Sequence, residues 1–200
     1  MKKLVSIATI SLLALTISAC GNSNDKKGSN NSSSSSKVVN NSKVTMNHYQ
    51  AIKLSSMMDN SGGDNEKTVK NILGKPSRVT TSETNGKKMV TYTWDKLNTS
   101  FKAKNVNVGF NDGKAMTKSY ANLDLNQMKP LDQSKVKTIK SGTSYKDVIS
   151  KLGTPSSESE AGSGNMAMKE AMYITSTKGD ATGFTFMGGN VSQISSNKIK

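Results

Sequence analysis

Apolar residues follow two rhythms along this chain, and the rhythm changes at two near-identical phrases. Met46, Tyr49 and Ile52 recur at helical spacing behind Thr45, a natural N-cap. Val69, Ile72 and Leu73 do the same behind Asn65. The helical pattern stops at Leu73-Gly74-Lys75-Pro76-Ser77. Glycine takes the left-handed conformation that ends a helix, and proline cannot extend one. Alternation with period two follows. Arg78 to Thr84 leads into Asn85-Gly86, a hairpin turn. Lys87 to Trp94 sets Val90, Tyr92 and Trp94 on one face, and Lys102 to Phe110 sets Val106, Val108 and Phe110 on one face. Asn111-Asp112-Gly113 then turns the chain into Lys114 to Tyr120.

The second half retells this order. Asp132 caps a short helix through Val136 and Ile139, and Ser144 with Asp147 forms a capping box ahead of Val148, Ile149 and Leu152. Leu152-Gly153-Thr154-Pro155-Ser156 stops that helix. Ser163-Gly164-Asn165, Gly179-Asp180 and Gly188-Gly189-Asn190 are turns around the strands Met168 to Thr175, Gly183 to Met187 and Val191 to Ile194. The pattern predicts an α+β fold of two tandem repeats, residues 45–124 and 125–200. Each is two helices followed by a four-stranded antiparallel sheet with one face covered. The first repeat has 16 residues between Ile52 and Val69, where the second has 8 between Ile139 and Val148. The surplus, around Leu54 to Asp64, carries Met57 and Met58. Insertions of this kind map to surface loops, which often carry function, so both methionines are candidate interaction residues.

The first 44 residues are of another kind. Lys2-Lys3 precedes an apolar stretch from Leu4 to Ile17, too short to span a bilayer and shaped like a signal peptide. Ile17-Ser18-Ala19-Cys20 resembles the bacterial lipobox, which implies cleavage after residue 19 and lipidation of Cys20. Residues 20–44 are rich in Ser, Asn, Gly and Lys, and a segment so poor in apolar residues is expected to be a disordered tether. The expected location is the outer side of a cell membrane, lipid-anchored through Cys20, in a Gram-positive bacterium.

Two copies of helix–helix–sheet, each with Val-x-x-x-Leu-Gly-x-Pro-Ser and a later Phe-x-x-Gly turn, resemble the beta-lactamase-inhibitory-protein-like fold. Tyr49-x-x-Ile52, Val69 to Ser77, Tyr92-x-Trp94 and Phe110 to Lys114 are similar to a family of small Gram-positive lipoproteins defined as a domain of unknown function. The half-unit is also similar to the SmpA/OmlA (BamE) group of outer-membrane lipoproteins. Tyr173-Ile-Thr175 lacks the tryptophan expected there. The resemblance implies protein-binding relatives and no catalysis, and it brings no list of functional residues.

Composition narrows the chemistry. The chain has 200 residues, a formal charge of +14 and 33% hydrophobic residues. Arg78 is the only arginine. Bidentate base-edge recognition favours arginine, so no nucleic-acid partner is expected. A lysine surface suits diffuse attraction to anionic membrane or wall polymer, and it is also what a merely solvated surface looks like. Lys87, Lys88, Lys102, Lys104, Lys114 and Lys118 line up as a possible stripe. Cys20 and His48 are single, which argues against Cys/His metal sites and nucleophile pairs. Ser134-x-x-Lys137 is a chance match in a chain rich in both residues. Glu158 and Glu160 share one strand face and read as a solvated edge. Met166, Met168 and Met172 raise a Cu(I)-thioether possibility, against which methionine as core filler weighs more. No cofactor is expected. The polar sheet face, read as Thr91, Thr93, Asn105, Asn107 and Thr185, is poor in the aromatic anchors of tight interfaces. The candidate interaction residues are therefore Met57, Met58, Thr91, Thr93, Lys102 and Lys104. The expected partner is an envelope protein, with electrostatic binding of anionic wall polymer as the alternative.

Overall fold

The computed structural model describes residues 42–84, 86–122, 125 and 128–199. The expected leader 1–19, Cys20, the linker up to residue 41 and Asn85 of the first hairpin lie outside the described residues. The chain runs α1 (Met46–Ala51), α2 (Glu66–Leu73), β1 (Arg78–Thr84), β2 (Lys87–Trp94), β3 (Asn105–Asn111) and β4 (Lys114–Ala121). It continues through α3 (Gln133–Val136), α4 (Tyr145–Leu152), β5 (Ser157–Ala161), a 3-10 turn (Gly164–Met166), β6 (Met168–Ile174), β7 (Asp180–Met187) and β8 (Asn190–Lys198).

All eight strands join one antiparallel sheet, in the order in which they occur along the chain. This corrects the expected pair of helix–helix–four-strand repeats. The β4–β5 ladder overturns it: Thr117 to Ala121 pairs with Ala161 back to Ser157. In separate sheets β4 and β5 would each present a row of unpaired N–H and C=O groups, and pairing them satisfies both rows. Apolar alternation reports which face of a strand is buried, and says nothing about which strand lies beside its edge.

The helices lie on one face of this sheet. Tyr49 of α1 and Val69 and Leu73 of α2 pack with Tyr92, Trp94, Val106, Val108, Phe110 and Tyr120. Val136 of α3 and Val148 and Leu152 of α4 pack with Ala171, Tyr173, Phe184, Phe186 and Val191. All these strand residues share one alternation phase, so the other phase faces away from the helices. The caps form as the sequence predicts. Thr45 accepts from the His48 N–H, Asn65 from Thr68, and Ser144 from Asp147.

The Gly-x-Pro corners are built alike. Gly74 has φ +84° and Gly153 φ +77°, which only glycine adopts without strain. Trp94 Nε1 donates to the Gly74 carbonyl at 3.0 Å, and Tyr173 Oη donates to the Gly153 carbonyl at 2.9 Å. The Ser77 N–H bonds to the Thr93 carbonyl, and the Ser156 N–H to the Met172 carbonyl. Tyr173 therefore occupies the place of Trp94, two positions from where the Tyr-x-Trp match puts it. A phenol hydroxyl does the work of the indole N–H.

Candidate functional site

The hairpin turns of β1–β2, β3–β4, β5–β6 and β7–β8 all fall at one end of the sheet, since every neighbour pair is antiparallel. The Leu54–Asp64 segment joins that end. The Ser55 N–H bonds to the Ala115 carbonyl at 2.7 Å, and Asn60 Nδ2 donates to the Asn111 carbonyl at 3.1 Å. Met57, Met58, Met166 and Met187 are exposed there, Met58 at 83%. Met57 lies over Gly162, so closely that a Cβ at Gly162 would sit 2.3 Å from its Cγ. Met168 and Met187 are cross-strand partners in the same row as Ala161 and Thr117. The result is a methionine-bearing rim, assembled from three separate stretches of chain.

Thr91 and Thr93 are elsewhere, on the sheet face away from the helices. Thr93 is buried and donates to Asn107 Oδ1 at 2.8 Å, so it is a packed member of that face rather than an exposed contact. One row of the face is polar across all eight strands: Arg78, Thr93, Asn107, Ser119, Ser159, Glu170, Thr185 and Gln193. At about 4.8 Å per strand it extends ~33 Å. Lys102 and Lys104 occupy a third place, the end opposite the methionine rim. They precede β3, which starts at Asn105 rather than Lys102. Phe101 explains the late start: it turns inward to meet Tyr120 at 5.1 Å and Tyr49 at 6.0 Å between ring centroids. The six candidates thus belong to three surfaces.

Sequence reasoning missed a fourth feature, a charged cluster buried between the two apolar clusters. Lys118, Glu158, Glu160 and Lys169 stand on four adjacent positions of β4, β5 and β6, facing the helices. Glu158 is 5% exposed and Lys118 6%. Glu158 is therefore no solvated edge residue, because β5 is a central strand. Nor does Lys118 belong to a surface stripe. Glu158 accepts from Tyr49 Oη at 3.4 Å and from Tyr145 Oη, and it pairs with Lys169 at 3.8 Å. Lys169 also pairs with Glu160 at 3.2 Å and lies 4.0 Å from the Tyr145 ring centroid. Lys118 Nζ donates to the Ile52 carbonyl at 2.9 Å and meets Glu160 at 3.6 Å. Its charge thus sits at the carbonyl end of α1, where a cation is favoured.

Burial, followed by the Glu158 charge, holds the phenols of Tyr49, Tyr120, Tyr145 and Tyr173 well above the usual tyrosine range. They stay protonated and able to donate. Burial also lowers the Lys118 pKa, and Glu160 acts against that shift. Tyr92 is pushed up to about 12, first by its hydrogen bond to Glu66 and then by burial. Among the described residues no buried side-chain polar atom lacks a hydrogen-bond partner. The cluster ties α1 and α4 to the middle of the sheet, with its groups spent on one another. The one signal in the sequence was phase: Lys118 lies two residues from Tyr120 on a core-facing register.

Comparison with known proteins places this chain in a family. The family model for a domain of unknown function, DUF3862, matches residues 40–196, and the chain belongs to that family. A crystal structure from Streptococcus mutans, described as a "putative beta-lactamase inhibitor protein", superposes with a TM-score of 0.57 at 18% identity. The match covers 76% of this chain and 94% of that one. It shows that the fold is of the beta-lactamase-inhibitor-like kind. No curated protein matches the chain.

Proposed function

We propose that this protein is a non-catalytic, lipid-anchored extracytoplasmic module that docks an envelope protein on its methionine rim. The observation that carries the reading is the convergence of Met57, Met58, Met166 and Met187, all exposed, on one end of the sheet. Methionine is flexible and polarizable, and it suits surfaces that adapt to a partner. The first described residue, Ser42, lies at the other end, where its Oγ donates to the Lys96 carbonyl at 2.6 Å. The S. mutans neighbour, described as a "putative beta-lactamase inhibitor protein", agrees with a binding role. The buried charged cluster supports a non-catalytic reading, since its groups are engaged with one another.

The test is site-directed photo-crosslinking in intact cells. A crosslinker at position 58 should trap a discrete protein adduct. Met57→Ser with Met166→Ser should abolish it, and a crosslinker at Lys151 on α4 should not form it. The same adduct from both positions, or none from position 58, overturns the docking reading. For the anchor, Cys20→Ala should release the protein from the membrane fraction or leave it unprocessed. A cleaved form that stays on the membrane overturns lipidation.

A further inference from the structure

The end of the sheet where Ser42 enters carries its own cleft. Ser42, Val44, Leu73, Lys75, Ser77, Trp94 and Lys96 line a depression of about 240 Å³. Val44, Leu73 and Trp94 are buried and form its apolar floor, while Lys75 and Lys96 are exposed at its margin. Lys43, Lys102 and Lys104 are exposed on the neighbouring segments. The Asn98 N–H bond to the Val44 carbonyl, at 3.0 Å, holds the 95–104 segment against residues 42–44. Among the described residues Asp95 is the acidic group at this place, and it accepts from Ser77 Oγ.

We propose that this cleft and its lysines seat the phosphodiester headgroup of an anionic membrane lipid, laying this end of the molecule on the bilayer surface. The proposal rests on the anchored reading above for its choice of a lipid over other polyanions. Among the described residues, Lys75 and Lys96 at the margin, with Lys43 and Lys102 exposed on the neighbouring segments, stand against one aspartate, Asp95. Position argues the same way. Cys20 is 22 residues before Ser42, and a chain that long reaches at most ~75 Å. The cleft is the part of the described fold joined to the anchor by the shortest length of chain. Lysines near an anionic leaflet each strengthen attachment about fivefold, within a Debye length of the surface.

Vesicle co-sedimentation tests this with the full chain carrying Cys20→Ser, so that no lipid on the protein contributes. Vesicles containing phosphatidylglycerol should bind it, and phosphatidylcholine vesicles should not. Lys75→Gln, Lys96→Gln and Lys102→Gln together should weaken binding about 100-fold, at three lysines of about fivefold each. The triple change Lys135→Gln, Lys137→Gln and Lys140→Gln, on and after α3, removes the same charge and should leave binding near its original strength. Equal loss from both triples would mean diffuse net charge and overturn the cleft. Unchanged vesicle binding by the cleft triple, with lost retention on isolated wall material, would assign the cleft to a wall polymer and also overturn the proposal. Because these samples carry no lipid at position 20, a failed anchor shows in cell fractionation of Cys20→Ala. A failed cleft shows only in the vesicles.

Discussion

Glu158 is the residue on which most of the interior polar chemistry converges. It takes two tyrosine hydroxyls and an ammonium at 5% exposure. Removing one member of a buried charged network strands the others, which costs more than the network contributes in place. Glu158→Ala should therefore lower stability by about 3 kcal/mol. Glu158→Gln, whose amide oxygen still accepts, should cost less. Urea unfolding of both variants checks this, and a cost under ~1 kcal/mol for the alanine would show that the cluster is not a strut. Beyond the core-facing phase of Lys118, none of this was legible in the sequence. Glu158 and Glu160 look like any pair of strand carboxylates until β4 is placed beside them.

At the scale of elements, the helices and their ends were readable because the signals are local. Caps and Gly-x-Pro stops act within a few residues, and Thr45, Asn65, Ser144, Gly74 and Gly153 sit where they predict. The loop between α1 and α2 was recognisable only as surplus length. Its shape depends on Gly63, at φ +69°, where an added Cβ would lie 2.6 Å from the Ser55 backbone nitrogen. Gly63→Ala should cost about 2 kcal/mol, or force the loop to rearrange. Gly74→Ala, with open space around the Cβ position, meets only the strain of a glycine-only backbone region, φ +84° with ψ −169°, and should cost about 1 kcal/mol. Thermal unfolding of the pair separates the two cases; equal costs would mean that the close approach to Ser55 relaxes freely. If the loop carries the rim, Gly63→Ala should also weaken the crosslink from position 58.

For the whole molecule, the buried phenols set an alkaline limit. Tyr49, Tyr92, Tyr120, Tyr145 and Tyr173 have folded-state pKa values above their ordinary 10.0. Their contribution is whole below pH 10.0 and is lost as pH climbs above it, because the unfolded chain then releases protons that the fold retains. Lys118 has the opposite sign. Its lowered pKa adds stability as pH rises toward its ordinary value of 10.5 and no further. The urea midpoint should therefore hold or rise slightly up to about pH 10 and fall steeply beyond it, and Tyr145→Phe should make that fall shallower. A decline that starts well below pH 10, or one unchanged by Tyr145→Phe, would remove the phenols as its cause.

The sequence by itself determined the local grammar: which residues begin and end the helices, which faces of the strands are apolar, and where the turns fall. Those follow from backbone sterics and from contacts a few residues apart. Its motifs also pointed to the inhibitor-like fold and to the family. Only the tertiary structure decided that eight strands make one sheet, because the choice of neighbour for β4 is a long-range matter of satisfying an open edge. The same step turned Lys118 and Glu158 inward, and it gathered methionines from three distant stretches at one end and the lysines around Ser42 at the other. Which residues share a surface is decided by pairing across the sheet, and pairing leaves no periodic trace in the chain.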